Sequence, residues 1–408
     1  MTYNGTTILG LATLLALGAN FAAANTGNSA ADTDTVAQLG AAFGLRAFRE
    51  IARSSPDCNV LFSPHGLAAL MGMAQLGAAD GTLRQLTHAM GYGLEDKGVM
   101  LALKHLQKEV TANSNQDIAS TANAVFIQRN MKLPRAYVKN YRKAFNSRPK
   151  QLFFQDSAKA ASIINKWVEA QTRGMISNFL RPDLLDPLLT RMVLVNAIYF
   201  KGLWKMPFDP EDTHHRTFYK ADGTQIQVPM MSQITKLNFS EMVTASGMDY
   251  DVIELPYHGE TFSMFIVAPY RKTDALSALT DIVSVELVNE WKNSLTLGKR
   301  QLVLPKFSLE NEIDLRIPLA RLGITDMFDS SKADFTKISK TQDLFVSQAL
   351  QKVKIEVDER GTKASAATAA IMYGRMAMET VIIDRPFLFL VRHNPTGTIL
   401  FMGQVMEP

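Results

Sequence analysis

The residues of this chain that could do catalytic chemistry fall in none of the familiar catalytic motifs. There is no Gly-x-Ser-x-Gly turn, no His-Glu-x-x-His pair, no phosphate-cradling glycine loop and no dinucleotide fingerprint. His214 and His215 are adjacent, and neighbours on a strand point to opposite faces, which suits no shared metal. The single cysteine, Cys58, excludes an intramolecular disulfide; a reactive thiol needs an exposed, electropositive setting, and Cys58 is expected to be buried or inert. No catalytic residue, metal site or cofactor is therefore expected, and the chain does not read as an enzyme.

The chemistry prepared here concerns the backbone. The stretch from Glu359 to Met376 is Glu-Arg-Gly-Thr-Lys-Ala-Ser-Ala-Ala-Thr-Ala-Ala-Ile-Met-Tyr-Gly-Arg-Met, and from Thr362 to Ala370 every side chain except Lys363 is no larger than threonine. Small side chains cost little to desolvate and fit between existing strands without rearranging a packed core. Read as a strand, Thr362, Ala364, Ala366 and Thr368 face one side while Lys363 and Ser365 face the other. That describes a loop built to enter a sheet. An alanine-rich helix or a low-complexity linker fits the composition equally well.

The elements around the stretch must position it. Before it, Val353, Ile355 and Val357 alternate with Lys352, Lys354, Glu356 and Asp358, the period of a half-buried strand, and Gly361 ends the run. After it, Val381–Ile383 and Phe387–Val391 read as strands. Upstream, Arg191–Lys201 is nearly all apolar, as a central strand buried on both faces should be.

At this point a family resemblance carries the reading further. Glu359-Arg-Gly-Thr-Lys-Ala-Ser-Ala-Ala-Thr368 resembles the hinge of an inhibitory serpin's reactive-centre loop. Asn59-Val-Leu-Phe-Ser-Pro64, Asn196-Ala-Ile-Tyr-Phe-Lys-Gly-Leu-Trp204, Asp384-Arg-Pro-Phe387 and Thr396-Gly-Thr-Ile-Leu-Phe-Met-Gly403 resemble family signatures, in the family's order. The resemblance implies an α+β serpin fold of three β-sheets and about nine helices. It implies one domain over 25–408 with an exposed loop at about 359–384, where length alone suggests two or three domains.

It also implies roles. In the family's inhibitors the attacked residue lies at a nearly fixed distance from the hinge glutamate, and sixteen positions beyond Glu359 stands Arg375, followed by Met376. The interval from Arg375 to Pro386 is typical as well. An arginine there suits a trypsin-like protease, whose primary pocket holds a buried carboxylate; Tyr373, two places earlier, is the rival for a chymotrypsin-like enzyme. The hinge comprises Glu359, Gly361, Thr362, Ala364, Ala366 and Thr368. Trp204 belongs to the "breach", where the hinge first enters, and is also expected as a core aromatic. Ser63, Asn196 and Gln351 belong to the "shutter", through which the main sheet opens. The family usually has serine where this chain has Gly66 and histidine where it has Gln351, and glutamine can rebuild the network because it both donates and accepts. Gln351 and the lack of disulfides are compatible with invertebrate members.

The implied activity is suicide inhibition of an extracellular trypsin-like serine protease by loop insertion after attack at Arg375–Met376. The alternative is a non-inhibitory serpin acting as carrier, chaperone or storage protein, but such members often have bulky, charged or proline residues in the hinge, and this hinge has only Lys363.

Residues 1–24 read as a cleaved signal peptide: an apolar run at Ile8–Leu17, then Ala22-Ala-Ala24 before Asn25, without Lys or Arg at the start. The run is too short and glycine-interrupted to span a membrane well, so the protein is expected to be secreted, extracellular and monomeric. Asn238-Phe-Ser240 is a glycosylation sequon; Asn4-Gly-Thr6 would leave with the leader. A net charge of +4 is too mild to imply nucleic acid. Helices are expected at Val36–Ile51, Gly66–Leu76, Gly81–Gln85, Asp96–Val110, Pro134–Phe145 and Ala158–Thr172, with strands at Asn59–Ser63 and Ala122–Ile127. Arg135, Lys139, Arg142, Lys143, Arg148 and Lys150 form a basic run that reads mainly as a solvated face and secondarily as a weak site for a polyanion such as a glycosaminoglycan. The preceding helix, with Lys97, Lys104 and Lys108, is only lightly basic.

Overall fold

The computed structural model describes residues 29–111, 119–340, 344–360 and 379–408. Among them are nine α-helices: α1 (Ser29–Ser54), α2 (Pro64–Gln75), α3 (Asp80–Met90), α4 (Val99–Val110), α5 (Arg135–Phe145), α6 (Ser157–Gln171), α7 (Ser277–Thr280), α8 (Val285–Ser294) and α9 (Arg316–Arg321). The first strands are β1 (Val60–Phe62), β2 (Ala119–Gln128), β3 (Lys150–Leu152), β4 (Met192–Phe200), β5 (His214–Tyr219), β6 (Gln225–Val243) and β7 (Asp249–Pro256). The rest are β8 (Phe262–Pro269), β9 (Thr296–Pro305), β10 (Phe307–Asp314), β11 (Val346–Val357), β12 (Thr380–Ile382), β13 (Phe387–His393) and β14 (Ile399–Val405). The architecture is α+β, as expected.

Local chemistry sets the boundaries. Ser63, expected as the end of a strand, instead leaves β1 and caps α2: its hydroxyl accepts the Gly66 N–H at 3.0 Å, with Pro64 in the first turn. Helix α4 starts at Val99 rather than Asp96, because Gly98 takes a φ of +94° and Asp96 closes a turn by accepting the Gly93 N–H. Asp156 caps α6 by accepting the Lys159 N–H at 2.9 Å.

Two hydrogen-bonded networks carry the strands. One sheet has five, ordered β10-β11-β4-β2-β3. The other has nine, ordered β1-β14-β13-β8-β7-β6-β9-β12, with β5 also on β6. Two of the three expected sheets are thus joined, because the long β6 pairs with β5 over its first residues, β9 through its middle and β7 at its end.

Strand β4 is buried along its whole length. On one face its Val193, Val195 and Ala197 meet Ala160, Ala161, Ile164 and Val168 of α6, which lies across the five-stranded sheet. On the other, Ile198 and Phe200 join the apolar faces of β8, β9 and β13. A strand covered on both sides has no solvated alternation to show, which is why its sequence is apolar throughout except for Asn196.

Candidate functional site

The seam between β4 and β11 is the centre of the site. These strands are parallel neighbours, paired from Val346 opposite Met192 to Ile355 opposite Phe200 with one register shift between Val346 and Gln348. Antiparallel partners flank the pair, β10 beside β11 and β2 beside β4. At the far end of β11 the chain runs through Asp358, Glu359 and Arg360, the root of the expected hinge.

That root is held by Trp204 and its surroundings. Trp204 is buried and stacks on Tyr257, with ring centroids 4.5 Å apart and planes 11° from parallel. Its indole N–H donates to the Asp358 carbonyl at 2.7 Å and its backbone N–H to the Arg360 carbonyl at 3.0 Å. The Phe208 N–H donates to the Glu359 carbonyl at 3.0 Å. Trp204 is the core aromatic that was expected, and its two bonds to the chain after β11 place it beside the root of the expected hinge. Gly202 makes this approach feasible, since a Cβ there would lie 2.3 Å from the Tyr257 ring. Side chains add a second grip. Glu359 accepts from the Thr213 hydroxyl at 3.0 Å and pairs with the Lys306 ammonium at 2.9 Å. Burial pushes the Glu359 carboxyl up, but Lys306, a backbone amide and Thr213 outweigh it and hold the group below its ordinary value. Across the seam, the Lys201 ammonium contacts Glu356 and lies 3.2 Å from Asp358, which keeps Glu356 below the usual carboxylate range. Lys352 on β11 donates to the Ser177 and Asn178 carbonyls beyond α6 at 3.2 and 3.3 Å.

Beneath the middle of the seam lie the residues expected to form the shutter. Gln351 and Ser63 are fully buried and exchange two bonds: the Ser63 N–H donates to the Gln351 amide oxygen at 2.8 Å, and the Gln351 amide donates to the Ser63 carbonyl at 3.0 Å. The Ser63 hydroxyl donates to the Leu400 carbonyl at 2.7 Å. Asn196 lies opposite Gln351 in the β4–β11 register and donates to the Asn123 side-chain oxygen on β2. Both departures from the family pattern have a physical account. A Cβ on residue 66 would stand 2.3 Å from the Asn196 side-chain oxygen, so Gly66 leaves the space that Asn196 occupies. Gln351 supplies the donor and acceptor that rebuild the link to Ser63.

Of the residues expected from sequence, Glu359 and Trp204 meet at one end of the seam, and Ser63, Asn196 and Gln351 meet under its middle. Gly361, Thr362, Ala364, Ala366, Thr368, Arg375 and Met376 lie outside the described residues, as does the 1–24 segment. The chain re-enters at Glu379, whose carboxylate pairs with Arg300 at 2.8 Å, and β12 then lies parallel to β9. Sequence reasoning missed Thr213, Lys306, Tyr257 and Asn123, which come from distant parts of the chain and show no local pattern. It also missed Lys201, three positions before Trp204, and Phe208, four positions beyond it, and both were within reach.

Other expectations fare differently. Cys58 is exposed rather than buried, because it stands in the turn between α1 and β1 rather than in either element. His214 and His215 are both exposed on β5, and no cluster fit for a metal occurs among the described residues. Asn238 is half-buried on β6, its amide donating to Glu254 at 2.9 Å. Arg135, Lys139, Arg142, Lys143 and Arg148, with Lys104 of α4, line one open cleft of about 590 Å³. No described helix is long and apolar enough to cross a membrane.

Comparison with known proteins adds an independent finding. The family model described as serpin (serine protease inhibitor) matches residues 38–408. Plasminogen activator inhibitor 1 from Bos taurus is 52% identical over 372 residues, 91% of this chain and 92% of that one. Glia-derived nexin from Mus musculus is 47% identical over 371 residues, 91% of this chain and 93% of the relative. Among solved structures, native protease nexin-1 with heparin has a TM-score of 0.87 at 44% identity, covering 92% of this chain and 100% of that one. The two sequence relatives are mammalian and give no support to the invertebrate reading.

Proposed function

The chain belongs to the serpin family, and from that premise we propose that it captures a trypsin-like serine protease at Arg375–Met376. The relatives named as inhibitors, identical to it at about half of all positions, favour inhibition over a carrier or storage role. The protein contributes no catalytic group. The protease's serine oxygen attacks the Arg375 carbonyl carbon, the bond to the Met376 nitrogen breaks, and the new amine leaves with a proton from the protease's own acid. An ester then joins Arg375 to the protease.

One observation carries the next step. The parallel β4–β11 pair borders the root of the hinge, so a chain turning back at Gly361 would enter between two strands antiparallel to it. Insertion exchanges one parallel ladder for two antiparallel ones, which pair slightly better per residue, and buries the small faces of Thr362, Ala364, Ala366 and Thr368. At about 3.3 Å per residue, fifteen inserted residues displace the ester by roughly 50 Å. Distortion of the protease at the end of that path leaves the ester unhydrolysed.

The surrounding readings follow the same frame. A leader ending at Ala24 precedes one domain over 25–408, and the mature monomer acts outside the cell; N-terminal sequencing of secreted material should begin at or near Asn25, and an intact Met1 on a cytosolic protein overturns this. Six basic side chains around one cleft offer a polyanion a docking face, a reading supported by the likeness to protease nexin-1, whose structure was solved with heparin. The Asn238 amide keeps one N–H after glycosylation, enough to retain its bond to Glu254.

The test is a denaturing gel. Trypsin mixed with the protein should give a band that survives denaturation, and Arg375→Ala should abolish it. An alanine variant that traps trypsin at an unchanged rate overturns the assignment.

A further inference from the structure

A second concavity lies far along the sequence from the loop and has no part in the capture just described. It is a cavity of about 350 Å³ where the end of α2, α3, the turn before α4, and α5 converge. That volume is at the small end of the range that holds drug-sized or smaller ligands.

Its walls have three kinds of surface. Leu76, Leu83, Leu94 and Met100 make an apolar body, with Leu94 almost fully buried. The polar wall is satisfied at Gln75, whose amide donates to the Tyr92 carbonyl at 3.1 Å and accepts from the Leu94 N–H at 2.9 Å. It is not satisfied at Tyr137, which is only 3% exposed and whose hydroxyl has no hydrogen-bond partner among the described residues. A buried hydroxyl left without a partner is uncommon enough to need a reason. The third surface is charged. Glu95 and Lys337 pair with each other at 2.6 Å, and Asp96 is fixed beside them by accepting the Gly93 N–H at 2.7 Å. The charged lining therefore sums to one net negative charge.

We propose that this cavity binds a small primary arylalkylamine that carries an oxygen on its ring. The ammonium sits against Asp96, where the lining is negative. The ring lies among the four apolar side chains. The ring oxygen accepts from the Tyr137 hydroxyl and gives that group its missing partner. A neutral phenol lacks the first contact and an unsubstituted phenethylamine the third. An organic anion is disfavoured, because the only cation in the lining is held by Glu95.

The test uses the full mature chain with three probes: tyramine, 2-phenylethylamine and 4-ethylphenol, each titrated by calorimetry and by thermal shift. Tyramine should bind one to one and raise the melting temperature, and removing either polar group should weaken binding by about tenfold or more. Asp96→Asn, which still accepts the Gly93 amide, should cost about tenfold for both amines. Tyr137→Phe should leave the ligand-free melting temperature unchanged or raised, because the hydroxyl it removes has no partner. The same variant should erase the preference for tyramine over 2-phenylethylamine. Leu83→Trp, which puts a much larger side chain into the lining, should abolish binding. Absence of saturable binding by tyramine overturns the proposal. So does equal affinity for tyramine and 2-phenylethylamine in the wild type, or tyramine affinity unchanged in Tyr137→Phe.

Discussion

Replacing Gln351 by leucine separates the hydrogen bonds between Gln351 and Ser63 from the packing around them. The side chain keeps nearly the same volume, but the Ser63 N–H and carbonyl lose the partners now at 2.8 and 3.0 Å. Both sites are fully buried, so water cannot replace the amide without opening the structure. An orphaned buried donor or acceptor costs about 1 to 3 kcal/mol, so the pair should cost about 2 to 6 kcal/mol. At roughly 2 °C per kcal/mol for a large domain, the melting temperature should fall by about 4 to 12 °C. Gln351→His, with one donor and one acceptor on the ring, should recover part of that loss. The assay is thermal melting followed by circular dichroism on the uncleaved protein. A leucine variant melting within about 1 °C of wild type, well below the range set by two orphaned groups, would show that the Gln351–Ser63 link is not what binds β11 to the start of α2.

Two further variants test other parts of the account. Thr362→Arg asks a guanidinium to enter the sheet without a partner, at a cost of several kcal/mol, and each 1.4 kcal/mol slows insertion about tenfold. That variant should fold, be cleaved at Arg375 and release active trypsin, and cleavage should raise its melting temperature far less than it raises the wild type's; a variant that traps trypsin as well as wild type contradicts insertion. His65, half-buried at the start of α2, is held down to about 4 from 6.5 by burial, so the unfolded chain binds more protons between those values and stability falls as pH drops through that window. The full effect is roughly 3 kcal/mol, reached near pH 4, and His393, lowered to about 4 by burial and by the neighbouring His65 and Arg392, acts in the same direction; His65→Gln should flatten the melting-temperature profile between pH 6.5 and 4, and an unchanged profile contradicts this.

What the sequence discloses and what it conceals have a common physical basis. The alternation of Val353, Ile355 and Val357 makes β11 visible, and the nearly all-apolar run of β4 announces a strand covered on both faces, because each pattern is a direct image of local burial. Ser63 falls in the expected neighbourhood but in a different element, since a serine before proline reads as well as a strand end as it does as a cap. Pairings across long separations leave no such image. Nothing near Glu359 points to Lys306 or Thr213, and nothing near Lys201 points to Glu356. Gln351 reads as a lost histidine until its two bonds to Ser63 are seen, and Gly66 as a lost serine until Asn196 is found in its space. Cys58 misleads because cysteine is usually buried, whereas this one stands in a turn. The joining of two expected sheets rests on the length of β6, which no periodicity within it reveals.

Capture at Arg375 followed by insertion is tested most directly by the intact mass of the denatured product of a reaction with trypsin. The expected adduct is one trypsin esterified to a chain ending at Arg375, accompanied by the free 33-residue peptide Met376–Pro408. A released peptide that begins anywhere but Met376 contradicts the reactive bond. Cleavage at Arg375 with no adduct, and with trypsin recovered fully active, contradicts the trap itself.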